Sequence, residues 1–281
     1  PWRGPNEPGE FPTLGYAVAD YIEAYCAVPD GDHMGESYML TDEMLRFLLW
    51  HYRLDPAGKF VYRRSQLVRP QKWGKGPFSC AVICAEAAGP VLFDGWDADG
   101  EPVGRPWATP WIQVAAASED QTDNVWRALV PMIELGDIAA DIPDTGQTRI
   151  NLPNGGRIEP VTSQARSRLG ARITFAVMDE THSWTPSTGG QKLADTMRRN
   201  LGGMSGRSIE TTNAWDPAEM SVAQRTAASP ALDIHRDMAS IRTGLDLKLP
   251  THRKAGLKDV YGDSWWVDLD RIEAEYLELA E

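Results

Sequence analysis

Apolar positions along the chain fall into short blocks separated by polar turns. Ile173 to Met178 (ITFAVM) is an apolar run that stops abruptly at Asp179 and Glu180. A run of that length fits a strand buried on both faces, as in a parallel sheet. Trp111 to Ala117 is a second such run and ends at Ser118. Ser208 to Thr212 reads as another strand, β-prone rather than apolar, and ends in Thr211, Thr212 and Asn213. Phe60 to Val68 reads as a fourth strand, polar for the centre of a sheet. Helical spacing appears at Leu14 to Ala27 and at Leu40 to Tyr52. In the latter, Thr41 is the natural N-cap, Asp42 and Glu43 load the first turn with acid, and Leu45, Leu48 and Leu49 form the apolar side. Phe78 to Ala88 reads as a small-residue helix closed by Gly89 and Pro90. Glu119 to Leu135 is amphipathic, capped by Ser118, with Val125, Leu129, Met132 and Ile133 inward and Gly136 at its end. Gln191 to Leu201 and Asp216 to Thr243 read as helical. Val91 to Pro110 is a loop-rich insert, and Thr148 to Val161 a hairpin around Asn154-Gly155. After Pro250 a polar, Trp-containing connector leads to an acidic helix from Asp268 to the end.

Strands alternating with helices predict right-handed crossovers and a mainly parallel sheet. Ligands of such sheets sit beyond the carboxyl ends of the strands. Three strands that finish in polar residues at Ser118, Asp179–Glu180 and Thr211–Asn213 fit a nucleotide site on one sheet edge. Adjacent carboxylates there suit magnesium and water handling. The competing reading is two solvated acids after a core strand.

The strand ending at Val68 runs into RPQKWGKG, Arg69 to Gly76, and then into the small-residue helix. Strand, Gly-Lys loop and helix are the context of a phosphate loop. Backbone N–H groups at a helix start favour anions, and Lys75 adds a point charge for the β and γ phosphates. The pattern wants Gly where Arg69 stands and Ser or Thr where Gly76 stands. The hydroxyl that usually holds magnesium is therefore missing; Ser79, one turn later, is a weak substitute.

Composition narrows the picture further. The chain has 281 residues and a net charge of −12, which argues against a wholly basic nucleic-acid binder. Two local clusters are basic: Arg63, Arg64, Arg69, Lys72 and Lys75, then Arg157, Arg166, Arg168 and Arg172. Phosphate contacts need a patch rather than a total. The 3 cysteines are sparse, and Cys80 and Cys84 are spaced for helix packing, so no disulfide framework is expected. No apolar run approaches the roughly 20 residues of a membrane span, and no signal peptide opens the chain. The five histidines show no zinc spacing.

Four segments together resemble the ATPase domain of the large terminase subunit of tailed bacteriophages, the DNA-packaging motor. RPQKWGKG resembles the family's deviant phosphate loop, which often begins with Arg. VAAASEDQTDNVW resembles the strand and helix that follow it, FAVMDETH the acidic strand with the catalytic Glu, and TTNAW the coupling motif. Order and spacing agree over roughly residues 35 to 220. Upstream, LTDEM resembles the region where many relatives carry an adenine-side Gln; Met44 stands here, and that role is not carried over.

The resemblance implies an α/β fold of the P-loop NTPase type (ASCE/RecA-like), with a central, mainly parallel β-sheet flanked by helices. It implies ATP and Mg²⁺ as ligands. Arg69, Lys72, Trp73, Gly74, Lys75 and Gly76 would hold the phosphates. Asp179 would bind Mg²⁺ through its water shell, with Ser79 a weak second ligand. Glu180 would orient or deprotonate the attacking water. Thr211, Thr212 and Asn213 would couple loss of the γ-phosphate to motion, and His182 could bridge the site to that strand. Arg69 is the candidate arginine finger in cis; Arg157, Arg166, Arg168 and Arg172 are candidates in trans. The implied partners are double-stranded DNA, the portal protein, the small terminase subunit and further copies of the chain in a ring, expected as a pentamer, on the procapsid. No membrane is involved. The implied setting is the host bacterial cytoplasm, with transient residence on the procapsid and absence from the mature virion. The expected organisation is an N-terminal arm and helical segment (1–58), a P-loop core (59–245) and a C-terminal linker or lid segment (246–281). The family carries a nuclease domain further on. About thirty residues follow Pro250, too few for it, so a fragment is expected. Two rivals remain open: a nucleotide-binding regulatory module that does not hydrolyse ATP, suggested by Gly76, and a DExH helicase-like ATPase, suggested by DETH.

Overall fold

The computed structural model describes residues 9–116, 119–146, 148–162 and 170–280. Its strands are β1 (Arg64–Val68), β2 (Leu92–Trp96), β3 (Pro102–Arg105), β4 (Trp111–Ala116), β5 (Asp144–Thr145), β6 (Ile150–Asn151), β7 (Arg157–Thr162), β8 (Phe175–Met178), β9 (Arg207–Thr212) and β10 (Ile234–Met238). Its helices are α1 (Gly15–Tyr25), α2 (Asp42–His51), α3 (Lys75–Ala88), α4 (Glu119–Glu134), α5 (Gly190–Gly202), α6 (Val222–Ala227), α7 (Pro250–Tyr261) and α8 (Leu269–Ala280). Eight strands form one sheet in the order β10-β1-β9-β8-β4-β7-β6-β5. From β10 to β7 every pairing is parallel; β6 and β5 add an antiparallel edge. Helices cover the sheet, giving the α/β fold of P-loop NTPases.

Burial explains which segments became strands. All four residues of β8 are buried, as its apolar run predicts. β1 and β9 are central yet polar, because most of their buried polar side chains find partners. Gln66 donates to Glu210 at 3.2 Å and to the Ala223 carbonyl at 2.9 Å. Glu210 also accepts from Arg198 at 2.8 Å and Thr226 at 2.7 Å. At the opposite end of the sheet, buried Glu86 accepts from Arg207 at 2.6 Å and Tyr52 at 2.8 Å. A buried polar group so partnered avoids the desolvation cost that would otherwise exclude it. Helix α3 is buried along nearly its whole length and packs on α1, α4, β4, β8 and β9. Its small residues allow that enclosure, and Cys80 and Cys84 are packing residues there, close to Cys26.

Several elements differ from the sequence expectation. The strand read over Phe60–Val68 is only Arg64–Val68. The 91–110 insert holds an antiparallel ribbon, β2–β3. On α2 the inward face is Met44, Phe47, Leu48 and His51; Leu45 and Leu49 are only half-buried. Thr41 caps it as expected, accepting from Met44 N at 3.3 Å. The stretch 216–243 is not one helix: after α6 the chain forms β10, a parallel edge strand beside β1. The connector after Pro250 begins with a helix, α7, in which that proline takes a first-turn position where its missing N–H costs nothing. Ser118, read as a strand end and helix cap, lies outside the described residues.

Candidate functional site

The carboxyl ends of β1, β9 and β8 lie side by side, because β9 is inserted between β1 and β8. Each strand then turns into the residues singled out by the sequence. After β1, the amide of Arg69 donates to the Thr212 carbonyl at 3.1 Å, which ties the loop's first residue to the end of β9. The loop turns through left-handed backbone at Lys72 (φ 68) and Gly74 (φ 102). Gly74 is required twice over. Its dihedral disfavours a side chain, and a Cβ there would meet the Trp266 ring at 2.9 Å. Gly74 is the N-cap of α3, with no side-chain cap. The first helical amides, Lys75 and Gly76, have no partner within the helix, the arrangement that favours anions at a helix start.

Lys75 folds back over this loop. Its Nζ donates to the carbonyls of Arg69 at 2.9 Å and Pro70 at 3.0 Å, and to Asn213 Oδ1 at 2.6 Å. Burial lowers its pKa, while Glu180 and Asp179 oppose that shift. Asn213 in turn donates from Nδ2 to Glu180 Oε2 at 3.1 Å. One side chain at the end of β9 therefore joins the loop lysine to the acid that follows β8. Glu180 itself has a left-handed backbone (φ 53), which throws its carboxylate back toward β9. Burial raises its pKa, opposed by Lys75. Asp179 Oδ1 accepts from Thr211 Oγ1 at 2.5 Å, and its carbonyl accepts from Trp184 Nε1 at 2.9 Å. Burial raises the Asp179 carboxyl, opposed chiefly by that threonine. The backbone amide of His182 donates to Thr212 Oγ1 at 3.0 Å, so it is the main chain rather than the ring that reaches β9. The ring's Nδ1 lies 3.1 Å from Glu180 Oε2 without hydrogen-bond alignment.

Space for a cation bears on Gly76 and Ser79. A Cβ at Gly76 would meet nothing within 4 Å, so the position opens onto free space. Ser79 Oγ is buried without a hydrogen-bond partner among the described residues and does not come that close to the missing Cβ. Among the described residues no group of three or more His, Cys, Asp or Glu could hold a metal by itself. Magnesium takes one or two carboxylates plus phosphates and water, and Asp179, close enough to Lys75 to oppose the fall in its pKa, fits that habit.

The arginines are dispersed. Arg69 is 2% exposed, and its guanidinium lies 5.2 Å from the centroid of the Trp73 ring. Its guanidinium donates to Asp237 Oδ1 at 2.7 Å and to the Val68 and Asp237 carbonyls, clamping β1 to β10. In this conformation it is not free to act as a cis finger. Arg157 opens β7 and Arg172 precedes β8, both at the amino-terminal edge of the sheet, away from Glu180 of the same chain. Arg166 and Arg168 lie outside the described residues.

Sequence reasoning missed the residues that grip the outside of the loop. Ser264 Oγ donates to the Trp73 carbonyl at 3.2 Å, and Trp266 Nε1 to the Lys72 carbonyl at 3.1 Å. Lys72 pairs with Glu275 at 3.5 Å, and Glu43 accepts from Trp73 Nε1 at 3.3 Å. The signal available was the Trp265–Trp266 pair, an expensive choice for a solvated connector.

No protein-family model matches the chain. The gene 13 protein of mycobacterium phage L5 is 31% identical over 307 aligned residues, covering 92% of this chain and 52% of that protein. The gene 13 protein of mycobacterium phage D29 is 33% identical over 237 residues, 76% of this chain and 40% of the relative. The large terminase subunit of Enterobacteria phage HK97 is 24% identical over 172 residues, 60% of this chain and 31% of the relative. The crystal structure of the HK97 large terminase superposes with a TM-score of 0.70 at 18% identity, covering 95% of this chain and 52% of that one. The chain is a relative of phage large terminases. It spans about half the length, or less, of the curated relatives it matches. No helix among the described residues of this terminase relative is long and apolar enough to cross a membrane.

Proposed function

We propose that this chain is the ATPase domain of a viral DNA-packaging motor, binding Mg²⁺–ATP at the carboxyl edge of β1, β9 and β8 and hydrolysing it to drive double-stranded DNA into a procapsid. The observation that carries the reading is the Lys75–Asn213–Glu180 chain of hydrogen bonds, which links a phosphate-loop lysine to a carboxylate placed for water. The amides of Lys75 and Gly76 and the ammonium of Lys75 receive the phosphates, and Lys72, Trp73 and Gly74 shape the loop. Asp179 is the protein's side of the magnesium site, through water. Bound there, Mg²⁺ would supply charge neutralisation for the transferring phosphoryl group. Glu180 aligns the attacking water and takes its proton; its raised pKa brings it nearer the pH at which a base works well. Thr211 orients Asp179, and Asn213 passes the state of Lys75 to Glu180. Ser79 is too enclosed to serve the metal in this conformation.

The core proposed for this chemistry is 59–245, with 1–58 packed on it and 246–281 as a lid segment touching the loop through Ser264 and Trp266. A trans finger from a neighbouring subunit completes the site. The portal, the small subunit and a pentameric ring on the procapsid, in the host cytoplasm, are the corresponding partners and setting. Gly76 favours a second reading, a nucleotide-binding module without hydrolysis. A hydrolysis assay of wild type beside Glu180→Gln separates the two: wild type with no more turnover than the variant, with DNA present and protein concentrated, favours the module. Under the motor reading, Lys75→Ala weakens ATP binding, whereas Glu180→Gln keeps binding and abolishes turnover. Equal loss of binding in both contradicts the assigned roles.

A further inference from the structure

The amino-terminal edge of the sheet carries a second polar centre, away from the nucleotide edge. Trp111 opens β4 and Arg157 opens β7, and the two are register partners. The Arg157 guanidinium lies 3.6 Å over the Trp111 ring. Glu159 meets its Nε edge at 3.4 Å. That carboxylate is fixed in turn, accepting from Trp111 Nε1 and Gln113 Nε2, each at 2.9 Å. Stacking and the anchored Glu159 hold the guanidinium in one plane. No hydrogen bond from its Nη atoms is seen among the described residues. Arg157 borders a cleft of about 410 Å³ whose other lining residues are Thr109, Trp111, Gly155, Arg172 and Met204. Arg172 is exposed, and none of the six lining residues is acidic.

We infer that this cleft is a phosphodiester-binding site that takes the backbone of double-stranded DNA, with Arg157 as its fixed fork and Arg172 as a second cation. A stacked guanidinium keeps its outer edge for a bidentate oxyanion and loses little side-chain entropy on binding. Two cations in one open cleft suit successive phosphates of a strand. Base stacking is not the mode of recognition, because the indole that could carry a base carries Arg157 instead, which favours a duplex over unstacked single strands. The chain carries a net charge of −12, and backbone binding requires only a local cationic patch, here Arg172 with the outer edge of Arg157, whose Nε side is taken by Glu159. The inference rests on the motor reading for the identity of the polymer, not for the anion site itself.

The test is fluorescence anisotropy of a labelled duplex with the full chain, without ATP, across a salt series. Arg157→Ala/Arg172→Ala together should weaken duplex binding about tenfold or more and lower the log–log salt slope by about two, one per lost phosphate contact. Arg157→Lys should fall between wild type and Arg157→Ala, because it keeps the charge and loses the fork. A fluorescent ADP analogue should bind the double variant as it binds wild type, which checks folding and keeps a failure of the nucleotide reading distinct from a failure of this one. Unchanged duplex affinity and slope would overturn the inference. So would loss of single-strand binding alone. Intact duplex binding with collapse of ATP turnover at high protein concentration would also overturn it, assigning these arginines to a neighbour's nucleotide site.

Discussion

Replacing Asn213 with Ala removes the side chain that ties Lys75 to Glu180. Its Oδ1 accepts from Lys75 Nζ at 2.6 Å and its Nδ2 donates to Glu180 Oε2 at 3.1 Å. A hydrogen bond to a charged group contributes about 1.5–3 kcal/mol; at a half-exposed position water replaces part of it, leaving about 1 kcal/mol per bond. Phosphate entry has to draw the ammonium off Asn213 and the two loop carbonyls. Removing one of three competitors should therefore tighten ADP binding about fivefold. Turnover should move the other way. Glu180 loses a donor that sets its direction, and misalignment of a water-activating group costs about tenfold or more in kcat. Titration with a fluorescent ADP analogue and steady-state phosphate release measure the two effects on the same preparation. Weaker ADP binding with kcat unchanged would refute the relay, because Asn213 would then be a nucleotide contact and nothing more.

Four further outcomes follow from the same geometry. Gly76→Ser places a hydroxyl in open space at the start of α3, so nucleotide affinity should rise severalfold with magnesium and not with EDTA; an equal change in both would contradict a metal beside Asp179. Asp179→Asn should raise the Tm of the nucleotide-free protein at pH 7. Burial lifts the folded-state pKa of Asp179 above its unfolded value, so stability is lost as pH rises through that range, and the variant's advantage should shrink toward about pH 4; an advantage independent of pH would contradict the burial argument. Gly74→Ala should cost about 1–3 kcal/mol in urea unfolding from the left-handed dihedral and the Trp266 contact. In a Trp266→Ala background that cost should fall without vanishing, and strict additivity would show that Trp266 does not bear on the loop.

The segments that meet at this sheet edge were more legible than the scaffold around them. Asp179 and Glu180 follow a strand buried on both faces, and such a run can hardly be anything else at that length. The Gly-Lys turn announced the start of α3 because Gly and Lys answer local backbone and charge demands. β10 was misread because IHRDM is an edge strand, paired on one side only and half-exposed, so it carries no apolar signature. α7 hid for a related reason: only Arg253, Gly256 and Tyr261 are buried, too few to mark an apolar face, although Pro250 marked its start. The side-chain partnerships were not readable at all. That Arg69 answers Asp237, 168 residues away, is a consequence of β10 lying beside β1. The same holds for Trp266 on the outside of the loop, 194 residues from Lys72.

The measurement that bears most directly on the central claim is single-turnover hydrolysis of Mg²⁺–ATP by wild type and by Glu180→Gln, at protein concentrations raised until neighbours can meet. Wild type should release phosphate at a rate that increases with concentration, as a finger supplied in trans requires, while Glu180→Gln binds ATP and releases none. Phosphate release that is the same in both, at every concentration, would contradict the assignment of this sheet edge as a hydrolytic site.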